Sequence, residues 1–335
     1  MGIGAISERI ADIPAIHRKD PYGTRTMATT SSGRPLIILI GPTAGGKTDL
    51  SVRLAHDLPG GGECISADSM QVYEGMDIGT ATPTLAERGG VPHHLVSIVP
   101  PDRPFTLDDW LAAAEDTIEQ IRGRGRWPIV VGGTNLYVQA LLFGLLDAPP
   151  PDPQLRTLLA SMDPAGLRAA LEDCDSDAAA KIHPNDIRRT IRAVEFARST
   201  GRRLSEAQVQ WHQACRPDAR ILGLDWPVEA INARINARVA AMMRDGLLEE
   251  VTRLHVEGLL GPQAAAGVGY AQLIEHLTGG CRLDEAVEQI KIRTRRLGKQ
   301  QRTWLRKFRV LPHLTWIRPA EQDSYPVAMQ AIMDS

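Results

Sequence analysis

The stretch that most constrains this chain is Pro35–Leu50, PLIILIGPTAGGKTDL. Leu36–Ile40 is wholly apolar and reads as a buried parallel strand. Gly41, Pro42, Thr43, Ala44, Gly45, Gly46, Lys47 and Thr48 then satisfy G-x-x-x-x-G-K-[ST] at every fixed position. The glycines let the backbone curl so that its N–H groups converge on a phosphate. Lys47 adds a point charge, the Thr48 hydroxyl can reach a Mg²⁺ ion, and a helix starting near Lys47 turns its positive end toward the same anion. Strand, loop and helix stand in the required order, which a Gly-rich turn that binds nothing does not explain. The motif leaves open which phosphate compound it cradles.

With 335 residues the chain can build a full core and a second unit. Its formal net charge is -2, so nucleic-acid binding must come from local patches. Cys64, Cys174, Cys215 and Cys281 are scattered without a C-x-x-C pair, which fits a reducing cytoplasm with neither a disulfide framework nor structural zinc. No apolar run approaches the length of a membrane span. Residues 1–34 carry no signal-peptide core and read as a flexible extension, with Met27 a candidate start of translation.

Along the chain, 48–56 reads as a short helix and 63–67 as a second strand, ending on Asp68-Ser-Met-Gln-Val-Tyr73. Functional side chains of a parallel sheet gather just past the carboxyl ends of its strands. Asp68 therefore stands beside the phosphate loop, although an Asp after a strand also serves as a helix cap. Residues 74–83 read as a loop. His93 and His94 are adjacent on an extended segment, point to opposite sides and suit no shared metal. A helix is expected over 106–121 and a strand over 127–131, closed by Gly132-Gly133-Thr134-Asn135. No Asp ends that strand, where an ATP-hydrolysing loop protein carries its Mg²⁺-holding acid, and this argues against ATP hydrolysis.

The proline-rich run Ala148–Pro153 is the best boundary in the chain. Helical patterns follow over 154–162, 164–172 and 185–200, the last capped by Asn185 or Asp186. Arg188, Arg189 and Arg192 lie off its apolar stripe with only Glu195 close by, and form a candidate patch for a phosphate backbone. Residues 220–226 read as a strand returning to the sheet and 228–256 as one helix, with Arg234 and Arg238 on one face. Gly267-Val-Gly-Tyr270 breaks the pattern before a last long helix over 284–307. From Lys291 to Arg309 nine basic residues occur without an acid, interleaved with Trp304 and Phe308, which favours a polyanion.

The expected architecture is thus α/β: a P-loop NTPase-like parallel sheet flanked by helices, with an all-helical insertion. The boundaries read 1–34 for the extension, 35–147 for the first part of the core, 148–217 for the insertion and 218–335 for the core continuation. A phosphate cradle, a carboxylate on the same sheet edge and basic surfaces too large for a metabolite must be explained together. A P-loop kinase of a small metabolite explains the first and part of the second. A non-catalytic nucleic-acid-binding module with a relict P-loop explains only the last. An enzyme joining a diphosphate-activated group to a nucleic acid explains all three.

On these residues the sequence resembles the bacterial tRNA dimethylallyltransferase (IPP transferase) family. GPTAGGKT at 41–48, DSMQVYEGMDIGTATP at 68–83, PHHL at 92–95, GGTNLY at 132–137, HPNDIRRTIRAVE at 183–195 and TRRLGKQQRTW at 294–304 carry the likeness, in order over roughly 35–310. The resemblance implies transfer of a dimethylallyl group from dimethylallyl diphosphate to N6 of the adenine beside the tRNA anticodon, position 37. It implies Asp68 as the catalytic carboxylate, Thr43 next to the reacting centre and Arg238 on the diphosphate, with Mg²⁺ on Thr48. It implies tRNA contacts from Asp68, Ser69, Met70, Gln71, Thr134, Arg156, Arg188, Arg189, Thr190, Ile191, Arg192, Gly267, Val268, Gly269 and Tyr270. The insertion would clamp the anticodon stem. A cytoplasmic monomer is expected, of the bacterial form because no zinc finger is appended. Gly45, Ala266 and Gln300 depart from the family's usual Ser, Arg and Arg, and Ala266 puts one tRNA contact in doubt.

Overall fold

The computed structural model describes residues 33–146, 148–150, 152–207 and 215–334. The extension expected over 1–34 lies almost wholly outside them. The contacts divide the chain into two compact units, one drawn from Gly144–His212 and the other from Ala28–Phe143 with Gln213–Ser335.

The larger unit is built on a six-stranded sheet: β1 Leu36–Ile40, β2 Gly62–Ala67, β3 His93–His94, β4 Trp127–Gly132, β5 Ala219–Leu224 and β6 Leu314–Ile317. The order is β3-β2-β4-β1-β5-β6 and every pairing is parallel. Parallel strands need long crossovers, and here helices supply them and cover the sheet. That coverage explains why β1 is apolar at every position and buried at all five. Leu50, Leu54, Leu222, Leu224, Ile317 and Ile332 pack together with Ile37 and Leu39. Trp110 stacks on Tyr137 with ring centroids 4.5 Å apart and donates its indole N–H to the Ser66 carbonyl at 2.8 Å.

Several elements differ from the sequence reading. The helix expected over 228–256 is two helices, Val228–Arg244 and Leu247–Val256. Between them Gly246 takes φ 102°, a left-handed conformation that glycine enters without a Cβ penalty. The apolar stripe continues through the break, which is why periodicity alone hid it. Asn135–Phe143 forms a helix that is buried along nearly its whole length, so it lacks the amphipathic signature. The strand expected over 220–226 ends at Leu224, freeing Asp225 and Trp226. β6 and the helix Ser324–Met333 follow the last basic helix, Leu283–Phe308, and were not expected. The segment read as a loop over 74–83 contains one short helical turn, Asp77–Thr80.

That turn is held by Glu250, which is 8% exposed. Its carboxylate accepts the main-chain N–H groups of Asp77 and Ile78 at 2.8 Å and of Gly79 at 3.0 Å, and the Tyr270 hydroxyl at 2.6 Å. A carboxylate at a helix N-terminus satisfies donors that the helix itself cannot. The Tyr270 phenol is accordingly pushed far above its usual range, first by burial and then by the adjacent Glu250.

The smaller unit is helical: Pro153–Ser161, Pro164–Cys174, Ser176–Lys181, Ile187–Thr200 and Leu204–Ala207. Leu159, Leu167, Leu171, Val194 and Phe196 form its core. Four helices begin on an Asp whose side chain accepts N–H groups of the first turn: Asp152, Asp163, Asp175 and Asp186.

Glu250→Ala strips four donors of their acceptor and is expected to lower unfolding free energy by about 3 kcal/mol, with Glu250→Gln losing roughly half of that. Urea unfolding followed by circular dichroism measures both. A loss of less than about 1 kcal/mol for the alanine variant would show that the Asp77–Thr80 turn holds without this carboxylate.

Candidate active site

The loop after β1 is held in place by side chains from other parts of the larger unit. Lys47 folds back and donates to the carbonyls of Gly41 at 3.1 Å and Pro42 at 2.8 Å. Ala44 adopts φ 59°, which costs a residue with a Cβ about 1–2 kcal/mol. Its strain is offset by bonds on both sides of it. Arg234 donates Nε–H to the Ala44 carbonyl at 2.7 Å, and the Trp226 indole donates to the Gly45 carbonyl at 3.1 Å. The Arg234 guanidinium also lies 4.8 Å over the Trp226 ring. Arg238 reaches the Thr43 hydroxyl at 3.5 Å. Gln301, from the last basic helix, accepts the Thr43 main-chain N–H at 2.8 Å.

Asp68 faces the same space from the end of β2. Its Oδ1 accepts the Met70 N–H at 2.9 Å, a tight turn that fixes the carboxylate, and the Ser69 N–H donates to the Thr134 hydroxyl at 3.1 Å. One strand, β4, separates β2 from β1. It ends in Gly132-Gly133, so these two positions put no side chain between Asp68 and the loop. A Cβ on Gly132 would lie 2.1 Å from the Ala67 carbonyl oxygen. The resulting cavity of about 420 Å³ is lined by Thr43–Asp49, Asp68, Gln71, Arg238 and Gln301, among others.

Its electrostatics suit an anion. Burial, then Arg238, lowers the Lys47 ammonium to about 8, with Asp68 opposing. Burial also lowers the Arg238 guanidinium, again opposed by Asp68. Two partly buried cations so placed favour a bound anion, which would offset their mutual repulsion. Oxygen donors for a hard cation are present in the Thr48 hydroxyl and in Asp49 and Asp68, which line the same space. Among the described residues no three His, Cys, Asp or Glu side chains converge to hold a metal on their own.

The other residues singled out by sequence fall into groups. Gln71 is engaged inside the protein: its amide donates to the carbonyls of Thr80 and Ala81 and accepts from Ser66. Tyr270 is 1% exposed with its hydroxyl on Glu250, so its ring is a wall of the fold. A Cβ on Gly267 would stand 2.6 Å from the Met70 methyl, so the 267–270 turn abuts the segment after Asp68.

In the helical unit, Glu195 is 1% exposed and accepts from Arg156 at 2.8 and 3.0 Å and from Arg192 at 2.9 Å. Glu195 thus pairs with one of the three patch arginines, Arg192, and with Arg156 from outside the patch. Thr190 is 2% exposed and donates to the Asp186 carbonyl, and Ile191 packs on the core. Arg188 and Arg189 are the outward ones.

In the basic run, Lys291 and Arg295 pair with Glu288, and Arg309 with Asp225, while Arg293, Arg296, Lys299 and Arg306 are exposed. Sequence reasoning passed over Trp226 and Gln301 as loop supports. It noted Arg234 only as a neighbour of Arg238. The i,i+4 spacing was the available signal for Arg234. Gln301 lay inside the TRRLGKQQRTW segment that carries the resemblance, but nothing local marked its partner, and nothing marked Glu250.

Comparison with known proteins agrees with this geometry. The family described as IPP transferase matches residues 71–308. A tRNA dimethylallyltransferase of Bacillus pumilus is 41% identical over 288 residues, covering 84% of this chain and 89% of that protein. The full-length tRNA isopentenylpyrophosphate transferase of Bacillus halodurans superposes with a TM-score of 0.66 at 36% identity, covering 90% and 95% of the two chains. A eukaryotic dimethylallyltransferase acting on tRNA superposes with a TM-score of 0.76 at 29% identity, covering 90% of this chain and 79% of that one.

An anion in the loop needs Lys47 charged. Affinity for inorganic pyrophosphate is therefore expected to be full below pH 8 and to fall above it, by at most about tenfold per pH unit. Lys47→Met should bind weakly throughout and lack that break, which separates it from the ligand's own titration. Calorimetry across pH 6.5–9.5 reads both, and an unbroken profile for the unaltered protein would remove Lys47 from the anion site.

Proposed function

The chain belongs to the IPP transferase family, and from that premise we propose that it transfers a dimethylallyl group from dimethylallyl diphosphate to N6 of an adenine in the anticodon loop of tRNA, at position 37. The observation that carries the reading is the single cavity shared by a phosphate-cradling loop and Asp68. A site for phosphate alone would need the first and not the second.

The chemistry follows from what each group can do. An exocyclic adenine amine is a poor nucleophile until its proton has a destination. Asp68, held by the Met70 N–H and open to the cavity, accepts that proton as the new C–N bond forms. The bond between the allylic carbon and the diphosphate oxygen breaks, leaving the electron pair on the diphosphate. Lys47, Arg238 and the loop amides meet that growing charge in a site where water screens it little. Thr43, bound to Arg238, sits where the two halves of the donor part company. Mg²⁺ fits the oxygen donors of Thr48 and the nearby carboxylates, and when bound it would neutralise part of the diphosphate charge.

The RNA must present an extruded base, at a cost of a few kcal/mol that backbone contacts have to offset. The outward Arg188 and Arg189 of the helical unit and the exposed cations of the last basic helix are suited to those contacts. The buried Thr190 and Tyr270 serve instead to shape the segments that carry them. Among the described residues no helix is long and apolar enough to cross a membrane. We place the protein in the cytoplasm as a monomer, where its RNA substrate is made and used.

Incubation with labelled dimethylallyl diphosphate, Mg²⁺ and unmodified tRNA should place label on one adenine, and ATP should not replace the donor. Asp68→Asn is expected to lower the transfer rate by about 10²–10⁴-fold. Its affinity for the anticodon stem-loop should stay within about threefold of the parent. Transfer within tenfold of the parent would exclude Asp68 as the proton acceptor.

A further inference from the structure

Gln301 occupies an unusual position. It lies on the inner side of the Leu283–Phe308 helix and is 7% exposed. Its Oε1 accepts the Thr43 N–H at 2.8 Å, and its Nε2 donates to the Gly133 carbonyl at 3.1 Å. Its own main-chain oxygen accepts from Asn135 at 3.4 Å. One planar amide thus ties the loop after β1 to the loop after β4, the two segments that open the gap toward Asp68. A Cβ on Gly133 would stand 2.3 Å from that amide nitrogen, so the fit leaves no slack.

Thr43 is also the residue before Ala44, the left-handed position of the loop. Arg234 fixes the far side of Ala44 through its carbonyl, and Gln301 fixes the near side through the Thr43 amide. The disfavoured turn is therefore held by contacts supplied within the protein itself. A loop already ordered loses little freedom on binding, and that saving appears as affinity.

We propose that Gln301 is a positioning residue that presets the phosphate-cradling loop, holding Thr43 and the Ala44 turn in their binding geometry and so setting affinity for the donor's diphosphate. The proposal rests on the reading of that loop as the diphosphate site. Both polar atoms of the amide are engaged within the protein, so it acts through the loop and not as an RNA contact. The residue type is constrained. A carboxylate would set an acceptor against the Gly133 carbonyl, and a lysine or arginine would offer the Thr43 N–H no acceptor.

Pyrophosphate with Mg²⁺ and no RNA isolates the loop. Gln301→Met and Gln301→Glu are each expected to bind it about tenfold more weakly at pH 8. Their affinity for an anticodon stem-loop should remain within about threefold of the parent. The glutamate variant carries a further signature. Once protonated, its carboxyl again offers one donor and one acceptor, so its pyrophosphate affinity, measured relative to the parent, should recover to within about threefold as the pH falls below that carboxyl's own titration, followed down to about pH 4. The methionine variant should not recover. Lys47, Arg238, Arg234, Asp49, Asp68 and Glu87 face the same cavity, and the ratio to the parent at each pH cancels their own titration.

Pyrophosphate binding equal to the parent, a loss confined to RNA, or a glutamate variant that tracks the methionine one across pH would each overturn the proposal. If Gln301→Met does not fold, the glutamate series in one folded protein, checked by circular dichroism, carries the test alone. Should Lys47→Met bind pyrophosphate as the parent does, the failure belongs to the diphosphate reading of the loop and not to Gln301.

Discussion

The site depends on a loop whose shape is imposed from outside it. Ala44 sits in a left-handed conformation that its own sequence does not favour. Trp226, Arg234, Arg238 and Gln301 hold the residues around it. Three of these come from β5's exit and the helix that follows it, and the fourth from the last basic helix. The larger unit is therefore not a phosphate-binding half with a separate remainder attached. Its C-terminal helices complete the loop at its N-terminal end.

This dependence explains what the sequence could and could not disclose. The loop motif was legible because glycine spacing and a Lys-Thr pair are local properties. β1, β2 and β4 were legible because buried parallel strands are short apolar runs between turn formers. Asp68 could be placed beside the loop from its position after a strand, since functional side chains collect at that edge. The bracing of the loop was not legible. Gln301 lies 258 residues from Thr43, and nothing in a polar residue on an amphipathic helix announces a buried partner. Glu250 was hidden in the same way, as one acid in a stretch that reads as an ordinary solvated face.

The boundary at Gly246 shows a related limit. Apolar residues at helical spacing run across it, and only a left-handed glycine breaks the helix. The arginine-rich stretch at 188–192 teaches the opposite lesson. Counting charges suggested a patch of three arginines with Glu195 close by, and the buried Glu195 draws Arg192 into internal pairing while Arg188 and Arg189 stay exposed. Ion pairs of this kind organise a surface more than they stabilise it, since burying an acid offsets much of the Coulombic gain.

The end of β4 decides between two uses of the same scaffold. A loop protein that hydrolyses nucleotides needs an acid there to hold its metal. Here the strand ends in two glycines, and each has a neighbour where a side chain would go: the Ala67 carbonyl for Gly132 and the Gln301 amide for Gly133. No acid could be accommodated at either place without moving main chain or a braced side chain. The space that such an acid would occupy is taken by the Ala67 main chain and the Gln301 amide, and β4 sends no side chain of its own into the cavity from these two positions. The close packing that leaves no room for the hydrolase's metal-holding group also brings the ends of β2 and β4 and the Gln301 brace together beside the loop. It makes the cavity suited to joining two reactants across a diphosphate, where a nucleotide hydrolase would bring only water.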